Sequence, residues 1–256
     1  IDGLSATLSF QKGYAGISGS TRADHVTAIK RYSDTRYIIG GFTNTNSTAP
    51  YDAYIASIES TGNFSAKRKI ATAAKSEKLV DLIIIDDAVY FVLETADSSS
   101  SNDVRLAFGK ATIGTSVITI DFIKEINNTL YSFLDVSLVS DEFKECYVTA
   151  TLRLKSNNTT KDSFWVGKFD TTGDLLWNYR YIAPVGNTIQ VAPRTTIDIF
   201  GDLNVAYTRI DDTTGYRTVD TVKIGYDGEM KKQTNNAFNI NNVEGINVHG
   251  LTVDNS

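Results

Sequence analysis

The sequence contains a fourfold internal repeat, and this repeat limits the possible folds more than any other feature. A turn with a glycine recurs at Gly62, Gly114, Gly173 and Gly228. A second set of equivalent positions consists of apolar runs that end in Thr, at 37–43, 89–95, 146–151 and 203–208. Both sets recur with a period of roughly 50 to 60 residues, and this agreement indicates one structural unit repeated four times.

Each repeat predicts four consecutive antiparallel strands. The clearest repeat contains a strand over 163–169, a turn over 170–173 and a second strand over 174–181, a pattern typical of a β-hairpin. Glycine in such a turn supplies the positive φ that a tight reversal needs. A further apolar stretch lies ahead of each strand that ends in Thr. Because one twisted four-stranded sheet cannot cover its own faces, such units stack as the blades of a β-propeller, with a period of roughly 40 to 50 residues.

The sequence therefore predicts an all-β protein, a single β-propeller of four-stranded antiparallel blades over residues 1–256. The expected blades cover 25–70, 79–126, 132–182 and 188–236. The segments 4–14 and 243–249 look like partial blade strands, which favours either a larger propeller cut at both ends or a fifth blade shared between the termini. The alternative is an irregular β-sandwich with accidental spacing.

Charge and composition argue against several functional classes. The chain has 25 Lys and Arg against 30 Asp and Glu, a net charge of -5, and no basic block, so nucleic acid is not an expected partner. The longest apolar run, 82–85, is far shorter than the ~20 residues of a membrane-spanning helix, so no membrane insertion is expected. The single cysteine, Cys146, excludes an intrachain disulfide. The chain begins with Ile1 instead of Met, which favours a trimmed segment of a longer protein.

The segment 164–177 reads Phe-Trp-Val-Gly-Lys-Phe-Asp-Thr-Thr-Gly-Asp-Leu-Leu-Trp. It resembles the bacterial SBBP-type β-propeller repeat, which has an aromatic-led strand, Lys, an apolar residue, Asp, a Gly turn and a strand with Trp. The segment 54–64 is a weaker copy, and 40–43 matches the strand ending of the family. Such repeats occur in secreted and cell-surface bacterial proteins and are similar to repeats in structural proteins of tailed phages such as cyanophages. The resemblance implies a virion, in the phage tail, or an extracellular or bacterial cell-surface location.

Residues suited to metal binding or nucleophilic catalysis form no pattern that predicts a site. His25 and His249 stand at opposite ends of the chain without a neighbouring ligand, so no metal site is expected. Cys146 falls inside a predicted strand, where a buried and inert thiol is the better interpretation. No glycine-rich phosphate loop follows a strand, and no cofactor is expected.

Acidic residues recur in or near the first strand of three repeats, at Asp81, Asp135 and Asp198. Five-bladed glycosidases gather acidic residues from such strands around a central channel. Because these acidic residues recur, a structural role in each repeat is favoured over catalysis, since a catalytic pair would occupy only two unique positions. No catalytic residue is predicted, and we expect no hydrolase activity.

The expected function is that of a non-enzymatic virion protein, structural or binding, in a phage tail or adsorption appendage. Its expected partners are other virion proteins or a host-surface glycan. A bacterial extracellular adhesin or carbohydrate-binding propeller is the alternative, and a five-bladed glycoside hydrolase is a more distant one. The loops between the second and third strands should emerge on one face, where aromatic rings beside Asn and Thr suit glycans or proteins. The expected binding residues are Tyr51, Asn157, Asn158, Thr159, Thr160 and Tyr216.

Overall fold

The structure is a computed structural model that describes residues 24–44, 50–72, 74–97, 103–156, 163–182, 187–211, 213–214 and 217–240. In these residues, sixteen strands form four sheets of four, and each sheet is an antiparallel meander in chain order. This confirms the prediction of an all-β propeller with four-stranded blades. The partial strands expected at 4–14 and 243–249 lie outside the described residues.

The strands are numbered β1 to β16 along the chain. Blade 1 contains β1 Asp24–Ser33, β2 Arg36–Asn44, β3 Tyr51–Glu59 and β4 Phe64–Ile70. Blade 2 contains β5 Lys75–Ile85, β6 Ala88–Asp97, β7 Arg105–Ile113 and β8 Ile118–Ile126. Blade 3 contains β9 Tyr131–Ser140, β10 Cys146–Leu154, β11 Ser163–Phe169 and β12 Leu175–Ile182. Blade 4 contains β13 Asn187–Ile197, β14 Leu203–Asp211, β15 Arg217–Ile224 and β16 Met230–Ile240. No helix among the described residues has the length and apolar character to cross a membrane.

The hydrophobic core lies between the blades. One cluster joins blades 1 and 2, a second joins blades 2 and 3, and a third joins blades 3 and 4. The middle strands are buried on both faces, which is why they read as nearly continuous apolar runs instead of strict alternation. Of the residues expected in the core, Ile39, Phe91, Val148 and Val205 are buried. Of those expected in exposed loops, Thr214 is exposed, while Thr45, Ser99 and Asn158 lie outside the described residues.

Each blade holds the outermost turn of the next blade through a donor side chain and a backbone carbonyl. The outermost turn is the one that joins the third and fourth strands. Between blades 1 and 2, Arg36 Nη2 donates to Gly114 O at 2.9 Å, and between blades 2 and 3, Tyr90 Oη donates to Thr171 O at 3.3 Å. Between blades 3 and 4, Lys168 Nζ and Trp177 Nε1 both donate to Tyr226 O, at 3.2 and 2.9 Å. We call these contacts the outer latches.

Two of the repeated glycines are required by both conformation and space. Gly173 and Gly228 have φ of +83° and +88°, in the left-handed region that other residues rarely adopt. A Cβ at Gly173 would lie 2.4 Å from the ring of Phe122, and one at Gly228 would lie 2.9 Å from Trp177. Gly114 differs, since its φ is not positive and its turn closes through a hydrogen bond from its own N–H to the carbonyl of Val117.

Candidate functional site

The first strand of each blade is its inner strand, and these strands are β1, β5, β9 and β13. A cavity of about 400 Å³ opens where the inner strands of the four blades meet. All four blades contribute to its wall, and most of the lining side chains are polar. The lining residues are Thr27 from blade 1, Val80, Asp81 and Glu94 from blade 2, Asp135, Val136 and Ser137 from blade 3, and Arg194 from blade 4. We call this space the channel cavity. Its size and polarity suit a ligand with many hydrogen-bonding groups.

Every inner strand has a β-bulge beside the channel cavity. The register shifts at Thr27 in β1, at Val80 in β5, at 135–136 in β9 and at 192–193 in β13. A bulge adds a residue to one strand, bends it and re-aims a side chain, and bulges are common next to active sites. Pro193 fits this position because it has no N–H to contribute to the ladder.

The carboxyl group of Asp135 stands in the channel cavity on a strained stretch of backbone. Its φ is +53°, a left-handed conformation inside a strand, and the residue is exposed. Asp and Asn adopt this conformation more readily than most residues, yet it still carries an energetic penalty. Strain of this kind accumulates at functional sites, where the surrounding structure enforces it.

Glu94 is half-buried in the same wall, and the charge of Asp135 acts on its carboxyl group. Burial raises the pKa of the Glu94 carboxyl above its ordinary value. The positive charges of Lys78 and Arg153 oppose this effect in part, and the negative charge of Asp135 adds to it. Glu94 therefore keeps its proton to higher pH than an ordinary glutamate and can serve as a proton donor.

Asp81 has a different role, because both of its carboxylate oxygens are occupied by backbone amides. One oxygen accepts from Leu82 N at 2.8 Å and the other from Leu138 N at 2.9 Å, so the side chain joins blade 2 to blade 3. Burial raises the pKa of Asp81, while the hydrogen bond from Leu138 and the charge of Lys30 oppose the shift. Equivalent links join the other inner strands, by Thr27 Oγ1 to Leu79 O at 2.6 Å and between Ser137 Oγ and Thr195 Oγ1 at 3.0 Å.

Asp198, the third acidic residue of the repeated set, does not reach the channel cavity. It lies in the turn after β13, where its carboxylate pairs with Lys223 Nζ at 2.7 Å. Burial acts to raise its pKa, but the hydrogen bonds from Lys223 and Asn204 outweigh burial and hold the pKa below its ordinary value. Of the three acidic residues, the structure therefore brings Asp81 and Asp135 together with Glu94, and it places Asp198 at a turn.

We expect Asp81→Ala to lower the free energy of unfolding by about 1 to 3 kcal/mol, because the amide of Leu138 loses its acceptor in a buried setting. Asp81→Asn keeps one acceptor oxygen and should lose less. Equilibrium urea denaturation measures both variants, with Asp135→Asn as the control, since Asn tolerates the same backbone conformation. Wild-type stability of Asp81→Ala would contradict the inter-blade role.

Tyr51 is the one expected binding residue that the structure describes, and it lies at the end of blade 1 beside Lys78. Its half-buried ring packs edge-on against the ring of Phe42, with 5.1 Å between the centroids, and the ammonium of Lys78 lies 4.5 Å from the centroid of Tyr51. The exposed imidazole of His25 stacks on Phe42, with 4.7 Å between the ring centroids. The binding role of Tyr51 stays a prediction. Asn157, Asn158, Thr159, Thr160 and Tyr216 lie outside the described residues.

Sequence reasoning missed Glu94 and Arg194 as members of a site. One signal was present, since Glu94 ends an otherwise apolar run over 89–93 in the second strand of its blade. An ionisable residue in such a run needs a partner or a function. Among the described residues, no group of three or more His, Cys, Asp or Glu is arranged to hold a metal ion.

No family model matches the sequence, and no curated protein matches it. Solved structures do resemble the chain. An exo-β-1,3-galactanase from Clostridium thermocellum has a TM-score of 0.50 at 9% identity, over 81% of this chain and 47% of that one. An endo-arabinase from Bacteroides thetaiotaomicron has a TM-score of 0.47 at 13% identity, over 86% of this chain and 81% of the arabinase. A Bombyx mori GH32 β-fructofuranosidase has a TM-score of 0.47 at 10% identity, over 80% of this chain and 48% of the fructofuranosidase. The chain thus spans about half the length of the galactanase and the fructofuranosidase.

This comparison corrects the function expected from the sequence. The expectation of a non-enzymatic virion protein or extracellular adhesin is contradicted, and so is the expectation that the chain is not an enzyme, because the solved structure that the chain resembles at a TM-score of 0.50 is an exo-β-1,3-galactanase. At these identities the likeness itself shows the propeller fold, and the activity of this chain has to be argued from the channel cavity. The expected location and virion partners stay predictions from the sequence.

Proposed function

We propose that the protein is a glycoside hydrolase whose active site is the channel cavity. The observation that carries this proposal is the pair formed by Glu94, a half-buried carboxyl with a raised pKa, and Asp135, an exposed carboxyl on strained backbone. The likeness of the fold to an exo-β-1,3-galactanase supports it.

Hydrolysis of a glycosidic bond uses two carboxyl groups in different protonation states. One must be protonated, so that it can deliver a proton to the oxygen of the leaving group. The other must be ionised, so that it can activate water or attack the anomeric carbon. Glu94 suits the first role because burial favours its protonated form, and Asp135 suits the second because it is exposed to the cavity.

The remaining wall suits a sugar. Thr27 and Ser137 offer hydroxyl groups and Arg194 offers a guanidinium, while Val80 and Val136 offer apolar surface. Sugars present hydroxyl groups together with C–H faces, so they use both kinds of surface. A cavity of about 400 Å³ has room for the end of a glycan chain, and its volume lies within the range of ordinary small-molecule sites.

The test is release of sugar from a panel of glycans that includes β-1,3-galactan, arabinan and sucrose, followed by Asp135→Asn on whichever substrate is turned over. We expect Asp135→Asn to lower kcat by a factor of about 10² to 10⁴, because the amide can neither accept a proton nor attack carbon. The matched control is Asp174→Asn, which changes an exposed carboxylate paired with Lys124 on an outer turn.

Asp174→Asn should retain wild-type turnover. Full activity in Asp135→Asn, or an equal loss in both variants, would overturn the assignment of the active site. Absence of turnover on every glycan of the panel, with no sugar bound in a saturation-transfer NMR experiment, would overturn the proposed function itself.

A further inference from the structure

Among the described residues, the guanidinium of Arg194 is the one cationic group in the wall of the channel cavity, and part of its hydrogen-bonding capacity is unused. Its Nε is buried and has no hydrogen-bond partner among the residues that the structure describes. The charge of Arg153 acts on Glu94, and its Nε is likewise buried without a hydrogen-bond partner among the residues that the structure describes. Because these Nε atoms are closed to solvent, a ligand in the cavity would meet the terminal nitrogens of the Arg194 guanidinium.

Charges of both signs lie near the channel cavity. Lys30 and Arg194 act on the carboxyl group of Asp81, and Lys78 and Arg153 act on that of Glu94. Of these four cations only Arg194 lines the cavity, so its guanidinium is the group in the wall that can meet an anionic substituent of a ligand.

Asp81 does not use up the charge of Arg194. The two carboxylate oxygens of Asp81 already accept backbone N–H groups from Leu82 and Leu138. The planar fork of a guanidinium matches a carboxylate in a bidentate arrangement, which a rounded ammonium cannot reproduce. The channel cavity therefore combines two carboxyl groups suited to glycoside cleavage with a guanidinium suited to a carboxylate on the sugar.

We propose that the sugar bound in the channel cavity is a hexuronic acid and that Arg194 binds its carboxylate. This inference rests on the proposed function, because Glu94 and Asp135 would act on the same sugar. Arg194 is then the residue that selects the substrate class.

The first test measures binding and does not depend on turnover. Titration calorimetry compares the methyl glycosides of D-glucuronic and D-galacturonic acid with the matched neutral methyl glycosides of glucose and galactose. We expect the acids to bind at least tenfold more tightly than the neutral sugars. Arg194→Gln should weaken binding of the acids by about 10- to 100-fold and leave the neutral sugars unchanged. Arg194→Lys, which keeps the charge but loses the fork, should give an intermediate loss for the acids.

The control is Arg31→Gln, which removes an exposed arginine paired with Asp34 at the far end of β1. It should bind the acids as the wild type does. Circular dichroism and thermal unfolding check that each variant is folded. If Arg194→Gln does not fold, Arg194→Lys still tests the role of the guanidinium.

The second test separates this inference from the proposed function. Oligogalacturonides and glucuronoxylan fragments are compared with the same oligosaccharides after reduction of the carboxyl groups to alcohols. Preferential cleavage of the acidic forms supports the inference. Cleavage of neutral glycans alone, with equal binding of acids and neutral sugars, overturns the role of Arg194 and leaves the proposed hydrolase intact. Binding and cleavage of neither class overturn both.

Discussion

Glu94→Gln is expected to lower kcat by a factor of about 10² to 10⁴ and to remove the alkaline limb of the pH profile. The amide has the size of the acid but no proton to deliver to the leaving group. In the wild type, activity should fall as pH rises through the raised pKa of Glu94, because the ionised form cannot act as the acid. The fall should therefore occur at higher pH than an ordinary glutamate would produce. Initial rates between pH 4 and pH 9, on the substrate identified by the glycan panel, measure the profile.

The same substitution should leave stability unchanged or raise it at neutral pH. Because the pKa of Glu94 is higher in the folded state, the folded state binds its proton more tightly than the unfolded state does. That contribution to stability is fully present below the unfolded pKa and is lost as pH rises through the folded pKa. Glutamine has no such dependence. A variant that loses activity together with folding stability would show that Glu94 is structural, and a retained alkaline limb would contradict its role as the acid.

Lys168→Met is expected to lower the free energy of unfolding by about 3 to 5 kcal/mol, because it leaves the buried carboxylate of Asp141 and the partly exposed carboxylate of Glu145 without their cation. The Lys168 side chain is 5% exposed, and its ammonium pairs with Glu145 at 2.5 Å and with Asp141 at 3.8 Å. It also forms part of the outer latch onto Tyr226. Methionine has a similar shape, so the loss comes from charge and hydrogen bonding and not from a cavity. Urea denaturation followed by tryptophan fluorescence measures the change.

Lys124→Met is the matched control for this substitution. Lys124 pairs with Asp174 at 2.6 Å across the junction between blades 2 and 3, but the two side chains are 42% and 70% exposed. Exposed ion pairs contribute about 0 to 1 kcal/mol, so this variant should stay close to wild type. Similar losses in both lysine variants would show that burial does not set the contribution of Lys168.

The repeat and the strands could be predicted from the sequence because they depend on local patterns. The segment 163–169 is an apolar run that ends at a glycine turn, and it forms β11 at the same residues. The sequence over 189–200 reads as one apolar stretch, but β13 ends at Ile197, and 198–202 forms a turn with Gly201 at positive φ. A run of apolar and β-branched residues does not show where a hairpin reverses when the turn itself contains Ile and Phe.

The channel cavity could not be predicted in the same way. Asp81 and Asp135 occupy similar places in their repeats, yet one bridges two blades and the other faces the cavity. The difference comes from the bulges, which depend on the hydrogen-bond register between strands and leave no mark in the hydrophobic pattern. Lys78 is the ladder partner of Glu94 within blade 2, whereas Asp135 and Arg153, whose charges also act on Glu94, belong to blade 3. That part of the environment exists only after the blades have stacked.

The outer latches allow the four repeats to differ in sequence. The receiving atom is a main-chain carbonyl in all three latches, and every amino acid supplies one. The residues that receive are Gly114, Thr171 and Tyr226, which share no side-chain chemistry. The donor groups differ as well. They are the guanidinium of Arg36, the phenol of Tyr90, and the ammonium of Lys168 together with the indole of Trp177. Substitutions at these junctions can therefore change the residue type in one blade at a time while the contact between neighbouring blades is kept, so the blades can share a shape without sharing a sequence.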